Sequence, residues 1–176
     1  VPILKGLVAE HKRIIFNGDG YTAEWHAEAE RRGLPNLKDC LTAIPVLGSE
    51  KNRALFQKYS VLSPVEVESR VHIYVEKYAK ELQIESEAMV LMARQTILPA
   101  ALAYQTALAT TVTSCKAAGV ESTSGRSMLE RFVKLVNEFS DKLDALDDAD
   151  NHHEKEPLAH ARYLKTKVTP LMAQLR

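Results

Sequence analysis

Apolar side chains recur every three or four residues in the region that begins at Ser63, which is the spacing of one helix face. The members of this stripe are Val71, Tyr74, Val75, Tyr78, Leu82, Met89, Met92, Ala93 and Ile97. An N-cap serine, Pro64 at the first helical position and Glu66 at the capping-box position together predict the start of a helix. The next glycine is Gly119, which predicts the end. The pattern therefore predicts one very long helix, kinked or split at Pro99 because proline removes a backbone donor.

Two further helices are predicted after this one. A second capping box, Ser127 with Glu130, predicts the start of the first, and the acidic turn 147–153 predicts its end. Its apolar stripe comprises Leu129, Phe132, Val133, Val136, Phe139, Leu143 and Leu146. Pro157 predicts the start of the second, whose stripe comprises Leu158, Ala161, Leu164, Val168, Leu171 and Leu175. Because short connections make consecutive helices antiparallel neighbours, we expect an all-α fold, an elongated antiparallel helical bundle.

Residues 1–60 differ from the rest because turn signals interrupt them at 17–20, 33–36 and 45–49. Between the turns we expect short helices, one capped by Thr22, one opened by Asn36 with Asp39, and one opened by Ser49. The segment 14–16 is the only short strand candidate, with a buried extended segment as the alternative. We therefore predict a small N-terminal helical subdomain over 1–60 and a long helical hairpin or three-helix bundle over 61–176.

Composition narrows the function classes. The chain has 176 residues, with 23 Lys+Arg against 23 Asp+Glu, so its formal charge is zero and neither nucleic acid nor anionic lipid is favoured as a partner. No apolar stretch has the length that a membrane span requires. Cys40 and Cys115 lie in separate predicted helices without a ligand motif, so reduced cytosolic thiols are expected. Since the sequence starts with Val1 and without a signal-peptide pattern, we expect a piece of a longer protein.

The candidate chemistry is sparse. The loop Asn17-Gly18-Asp19-Gly20-Tyr21 has a Gly-x-Gly pattern, but Ala23 stands where a dinucleotide-binding loop needs its third glycine, so a structural turn is favoured over a ligand loop. Three histidines lie near oxygen donors, without the spacing of a zinc or calcium site, and a solvated inter-helix turn is favoured over a metal site. The residues of this group are His152, His153 and His160, with Asp147, Asp148, Asp150 and Glu154.

Two features of the long helix also have a functional alternative. Glu85 falls on the apolar stripe and could be a carboxylate with a raised pKa, although a solvated position beside Glu81 and Glu87 is favoured. A second group, Met89 and Met92 with Tyr74 and Tyr78, has the spacing of core or subunit contacts rather than of a cofactor site. From the residues alone we predict no catalytic, cofactor-binding or metal-binding residue in this chain.

An ordered series of short matches resembles the C-terminal region of type III glutamine synthetases, the bacterial large-subunit class. The series starts with the string 11–21, HKRIIFNGDGY, and continues through Trp25, 28–30, 32–37, 49–52, 55–56 and 61–63. Along the long helix it includes 69–70, 73–74, Glu76, Tyr78, 84–85, Met89, 92–93 and 97–100, and near the end Val168, Pro170, Met172 and 175–176. The resemblance covers nearly the whole chain and is weakest from about 106 to 158.

This resemblance implies a cytoplasmic parent enzyme that ligates ammonia to glutamate with ATP and Mg²⁺ or Mn²⁺, assembled as a dodecamer of two stacked hexameric rings. It implies that the catalytic and metal-binding residues lie in a catalytic domain upstream, so no catalytic residue is assigned here and the fragment alone is expected to be inactive. The expected partners are that catalytic domain and neighbouring subunits, and the expected role is assembly or regulation. Two alternatives stay open: a stand-alone helical scaffold that binds a partner helix, and, less favoured, an independent enzyme that uses the loop 17–21.

Overall fold

The structure, a computed structural model, describes residues 2–176; it is 79% helical and has no strand in that range, which confirms the predicted all-α fold. Seven helices follow one another within residues 2–176. They are α1 (Pro2–Glu10), α2 (Ala23–Arg31), α3 (Cys40–Leu47), α4 (Glu50–Lys58), α5 (64–117), α6 (Thr123–Asp150) and α7 (157–175). The chain divides into two compact units, unit 1 up to Val46 and unit 2 from Leu47 onward.

Unit 1 contains α1, α2 and a 3₁₀ turn at Lys12–Ile14. The strand candidate 14–16 forms no strand, since Ile14 ends this turn and the next two residues lie in no regular element. Thr22 caps α2 as predicted, since its hydroxyl accepts a hydrogen bond from the Trp25 N–H at 3.3 Å. Gly33, with φ of 67°, ends α2 in the left-handed conformation that glycine adopts without strain. Helix α1 over 2–10 has no counterpart among the predicted helices, and it has no buried residue.

The start of α3 differs in detail from its prediction. Asp39, and not Asn36, precedes the helix, and its carboxylate accepts the Thr42 N–H at 3.0 Å. Helix α4 follows Ser49 as predicted and packs against α5. It belongs to unit 2, whereas the predicted N-terminal subdomain of residues 1–60 includes it.

Helix α5 is a single helix of 54 residues with the predicted ends. The Ser63 hydroxyl accepts the Glu66 N–H at 3.3 Å while the Glu66 carboxylate accepts the Ser63 N–H at 2.7 Å, which completes the capping box. Hydrogen bonds donated to the Glu66 carboxylate, first by the Ser63 N–H and then by the Ser63 hydroxyl, lower the pKa of Glu66. At the other end, Gly119 has φ of 74° and the next N–H closes the turn onto the Cys115 carbonyl at 3.0 Å.

Pro99 does not split α5. The α-helical part Pro64–Met92 passes into a π-turn at Ala93–Ile97 and then into the α-helical part Leu98–Ala117. In this turn the Leu98 N–H donates to the Ala93 carbonyl, five residues back, and the wider turn accommodates the proline that follows. Helix α7 repeats the arrangement, since its π-turn at Leu164–Val168 comes immediately before Thr169 and Pro170.

Helix α6 runs antiparallel to α5, as predicted. Arg94 of α5 pairs with Asp144 and Asp147 of α6, whereas Tyr104, further along α5, lies edge-on to Phe132 at 5.0 Å. Helix α7 packs on both of its neighbours, and Glu156 caps it by accepting the N–H groups of residues 158 and 159 at 3.0 and 2.6 Å.

The predicted capping box at Ser127 is wrong. Helix α6 begins at Thr123, and the Arg126 N–H already donates to the Ser122 carbonyl at 2.9 Å. Ser127 therefore lies inside the helix, where the backbone donors have helical acceptors and need no cap.

The core of unit 2 lies where the first part of α5, the second part of α6 and α7 pack together. The predicted stripes of α6 and α7 face it, whereas the predicted stripe of α5 is confirmed only in part: Val75 and Ala93 are buried, and the other buried residues lie next to the stripe. The buried residues of α5 are Val67, Val75, Ala79, Ser86, Val90 and Ala93, while Tyr74 and Met92 are exposed. Small side chains face the partner helices because they permit close helix approach, and the larger ones lie at the edges of the contact.

Candidate functional site

Within unit 2, one half of α5 packs on a single partner helix. Over Leu98–Ala117 no residue is buried, and the main packing partner of this segment in unit 2 is the first part of α6, with Tyr104 donating to the Met128 Sδ at 3.7 Å. No residue from 95 through 115 carries a charge. We call the exposed apolar side chains of this hairpin, Leu102, Tyr104, Val120, Met128 and Leu135, the hairpin surface; each is at least 43% exposed.

The hairpin surface continues into an apolar groove at the place where α7 ends. The groove has a volume of about 890 Å³ and is lined by all three helices of the bundle. Its apolar lining includes Met89, Met92 and Ile97 of α5, Leu135 and Phe139 of α6, and Met172 and Leu175 of α7. Glu85, Glu138, Lys142 and Arg176 contribute the charged part of the lining. A concave apolar surface with charged side chains around it has the chemistry of a helix-binding or subunit-binding surface.

The three candidate histidines lie at the turn between α6 and α7. His152 Nε2 is 3.0 Å from Glu154 Oε1, and the rings of His153 and His160 are 5.6 Å apart. The Glu154 N–H lies 3.5 Å from His160 Nδ1, and burial lowers the pKa of His160. Within residues 2–176, no three His, Cys, Asp or Glu groups are placed so that they could hold a metal ion.

The loop 17–21 forms a side-chain-stabilised turn. The Tyr21 N–H donates to Asp19 Oδ1 at 2.9 Å, and the Asp19 carbonyl accepts from both the N–H and the hydroxyl of Thr22. The rings of Phe16 and Trp25 stack at 4.3 Å, and Gly18 lies against the Phe16 ring. The N–H groups of Tyr21 and Thr22 therefore have acceptors inside the turn.

The remaining candidates of α5 lie outside the core. Glu85 is exposed and lines the apolar groove together with Met89 and Met92, whereas Tyr74 lies on the exposed face. The polar residue inside the core is instead its neighbour Ser86, which is 0% exposed. Ser86 faces Asp150 of α6, and burial raises the pKa of that carboxyl. A serine among helix-spaced apolar residues gives no sequence signal of this position.

Each unit also contains arginine contacts that the sequence did not predict. In unit 1, Arg32 donates from Nη1 to the Ile15 carbonyl at 2.8 Å and from Nε to Glu28 at 2.6 Å. Hydrogen bonds from Arg31, and then from Arg32, lower the pKa of Glu28 to about 2. In unit 2, Arg94 joins the π-turn of α5 to the two α6 aspartates. The contacts of Arg32 with the Ile15 carbonyl and of Arg94 with the α6 aspartates join residues far apart in sequence, so local sequence does not reveal them.

Both cysteines are free thiols, Cys40 exposed and Cys115 half-buried. No helix among residues 2–176 combines the length and the apolar character needed to cross a membrane.

Comparison with known proteins assigns the family. A sequence profile described as the glutamine synthetase C-terminal domain matches residues 1–116. The chain is 41% identical to a type-3 glutamine synthetase of Dictyostelium discoideum over 112 residues, which is 64% of this chain and 15% of that protein. It is 40% identical over 103 residues to a glutamine synthetase of Butyrivibrio fibrisolvens, covering 58% of this chain and 15% of the relative. It is 35% identical over 106 residues to a glutamine synthetase of Bacteroides fragilis, covering 60% of this chain and 14% of that protein.

The chain thus spans about one-seventh of the length of these relatives. The profile ends just before the C-terminus of α5, so the resemblance noted for 168–176 lies beyond the matched region. The match includes all of unit 1 and nearly all of α5, which is well over half of the chain. The chain therefore belongs to the glutamine synthetase C-terminal domain family.

Proposed function

We propose that this chain is a non-catalytic helical domain of a glutamine synthetase, a parent enzyme that ligates ammonia to glutamate with ATP, and that it supports subunit assembly or its regulation. One observation carries the proposal: the helical segment 98–117 has no buried residue and yet no charged residue before Lys116. A helix that faces water on most of its surface normally carries charged side chains there. An uncharged exposed helix is what a contact with another protein surface requires.

The partner surfaces we propose are the catalytic domain of the same polypeptide and the neighbouring subunits of a cytoplasmic dodecamer. Two packed helices without a third layer bury little apolar surface, so a hairpin of this kind gains stability when a further element covers it. The apolar groove of about 890 Å³ beside it widens the available contact area. Family membership supports the parent enzyme, and the uncharged hairpin supports an assembly role within it.

We also propose that this chain does not hold the ATP and the Mg²⁺ or Mn²⁺ of such an enzyme. Residues 2–176 contain no three groups placed to ligate a metal, and the N–H of Tyr21 in the loop 17–21 already has an internal acceptor. We therefore propose that nucleotide and metal bind outside this chain and that it contributes no catalytic residue.

The test is made in the intact parent enzyme. Leu102→Glu and Leu135→Glu each place a charge on the hairpin surface, where the native side chains are 45% and 59% exposed. Val65→Glu is the matched control, because Val65 is also an exposed apolar residue of α5 but lies near its start, far along the helix from the hairpin. Light scattering coupled to size-exclusion chromatography gives the assembly mass, and glutamine formation gives the activity.

We expect smaller assemblies, with a loss of activity that follows the loss of mass, for both hairpin variants and not for the control. Unchanged mass and activity in both variants would show that the hairpin surface has no assembly role. The stand-alone scaffold alternative makes a different prediction: the reading frame that encodes Val1 would contain no upstream catalytic domain.

A further inference from the structure

A second candidate site lies in unit 1 and is independent of the proposed assembly role. It is a cleft of about 340 Å³ between the 3₁₀ turn and the end of α2. Four of its five lining residues are cationic, namely Lys12, Arg13, Arg31 and Arg32, and the fifth is Ile15. In a chain whose formal charge is zero, this is a local concentration of positive charge. We call this feature the basic cleft.

Arg32 gives the basic cleft a built framework. Its side chain is only 20% exposed, and its Nη1 donates to the carbonyls of Arg13 and Ile15 at 3.2 and 2.8 Å. Its guanidinium also lies over the Trp25 ring, 5.5 Å from the centroid. These contacts tie the 3₁₀ turn to the end of α2, so the cationic side chains project from backbone that is held in place.

The positive charge of the basic cleft is only partly neutralised. Glu28 is the carboxylate that pairs with Arg31 and Arg32, each at 2.6 Å. Lys12 and Arg13 are exposed, and their side chains have no ion-pair partner within residues 2–176. Four cations against one carboxylate leave a net charge of three, with two cations available to a ligand. Arginine and lysine side chains around a concavity are the chemistry that recognises phosphate.

We propose that the basic cleft binds a phosphate group, held by the side chains of Lys12 and Arg13 and by the exposed Arg31 guanidinium, whose Nε and Nη2 donate to Glu28 and whose Nη1 is left for the ligand. The volume exceeds that of a single phosphate, so the cleft accommodates either inorganic phosphate or a larger phosphorylated molecule. Since the side chains are solvent-exposed, binding weakens as salt rises, with screening acting over about 8 Å at physiological ionic strength.

The experiment is a calorimetric titration of the full 176-residue chain with inorganic phosphate and, separately, with pyrophosphate at low ionic strength. The variants are Lys12→Ala and Arg13→Ala, which leave the backbone carbonyl that Arg32 uses in place. Lys38→Ala is the matched control, since it removes one exposed cation of unit 1 outside the basic cleft. Circular dichroism and tryptophan fluorescence check that each variant keeps its fold.

We expect saturable one-to-one binding that weakens about tenfold in each cleft variant, which is the size of one charge-assisted hydrogen bond, and that stays unchanged in the control. Tighter binding of pyrophosphate would assign the cleft to a larger phosphorylated ligand, and equal binding would assign it to inorganic phosphate. Absence of saturable binding, or equal weakening by Lys38→Ala, would overturn the proposal, because either result would mean diffuse attraction without a site.

Discussion

Truncation of Leu143 to alanine tests how the bundle of unit 2 is held together. Leu143 lies in the second part of α6, where α5 and α7 both pack, and its side chain is 0% exposed. The substitution removes buried methyl and methylene groups and leaves a cavity that close-packed neighbours fill only in part. For a fully buried leucine we expect the free energy of unfolding to fall by about 3–4 kcal/mol. In a chain of this size that loss lowers the melting temperature by about 6 to 16 °C.

The matched control is Leu135→Ala on the same helix. Leu135 is 59% exposed, so the same chemical change removes a side chain that buries little area, and we expect a loss within about 0.5 kcal/mol. Thermal and urea unfolding followed by circular dichroism at the helix band measures both variants. Because the two changes are alike in helix propensity, their difference reports burial alone. Equal losses for the two variants would refute the burial that the structure assigns to this face of α6.

Three further predictions concern the caps, the unit 1 loop and pH. Ser63→Ala should lower the free energy of unfolding by about 1 kcal/mol, measured in urea, whereas Ser122→Ala should not, because the Ser122 hydroxyl makes no capping hydrogen bond. Gly18→Ala should change the fluorescence of the single tryptophan, because a Cβ at residue 18 would lie 2.6 Å from the Phe16 ring, which stacks on Trp25. Gly20→Ala should leave the fluorescence unchanged, because a Cβ there would lie 4.0 Å from its nearest atom. The lowered pKa of His160 should cost stability as pH falls through 6.5, the unfolded value, and His160→Gln should remove that part of the pH dependence.

Each of these predictions has a result that would count against it. Equal urea midpoints for wild type and Ser63→Ala would mean that the capping box is not formed in solution. An unchanged emission spectrum in Gly18→Ala would contradict the packing of Phe16 on the loop. An unchanged pH profile in His160→Gln would show that the histidine is not desolvated. The raised pKa of Asp150 has the opposite effect at lower pH. The ionised carboxyl destabilises the folded state, and this destabilisation is lost as pH falls through the folded-state pKa toward 3.8, the unfolded value.

The ends of the long helix were predictable because they depend on neighbouring residues alone. The capping box of Ser63 with Glu66 and the left-handed Gly119 are local arrangements, and both are present. The failed box at Ser127 has the same residue types, but a helix already formed upstream leaves its donors satisfied. A local signal is therefore reliable only where no helix precedes it.

The absence of a catalytic constellation was a conclusion from the sequence, and it stays a prediction here. The contacts that define the candidate sites were not predictable. Arg32 reaches carbonyls 17 and 19 residues earlier, and Arg94 reaches carboxylates 50 and 53 residues later. The basic cleft and the junction of α5 with α6 depend on these long-range contacts, which the spacing of residues in the sequence does not indicate.

By itself, the sequence determined the all-α class, the number of long helices, their approximate ends and the buried faces of α6 and α7. These properties follow from 3.6-residue periodicity, caps and proline positions, which act within a few residues. Only the tertiary structure decided that Ser86 rather than Glu85 lies in the core, that Pro99 follows a π-turn without splitting the helix, and that the segment 98–117 has a single main packing partner within unit 2. The reason is that adjacent faces of α5 are both apolar, and which of them is buried depends on how closely two other helices approach.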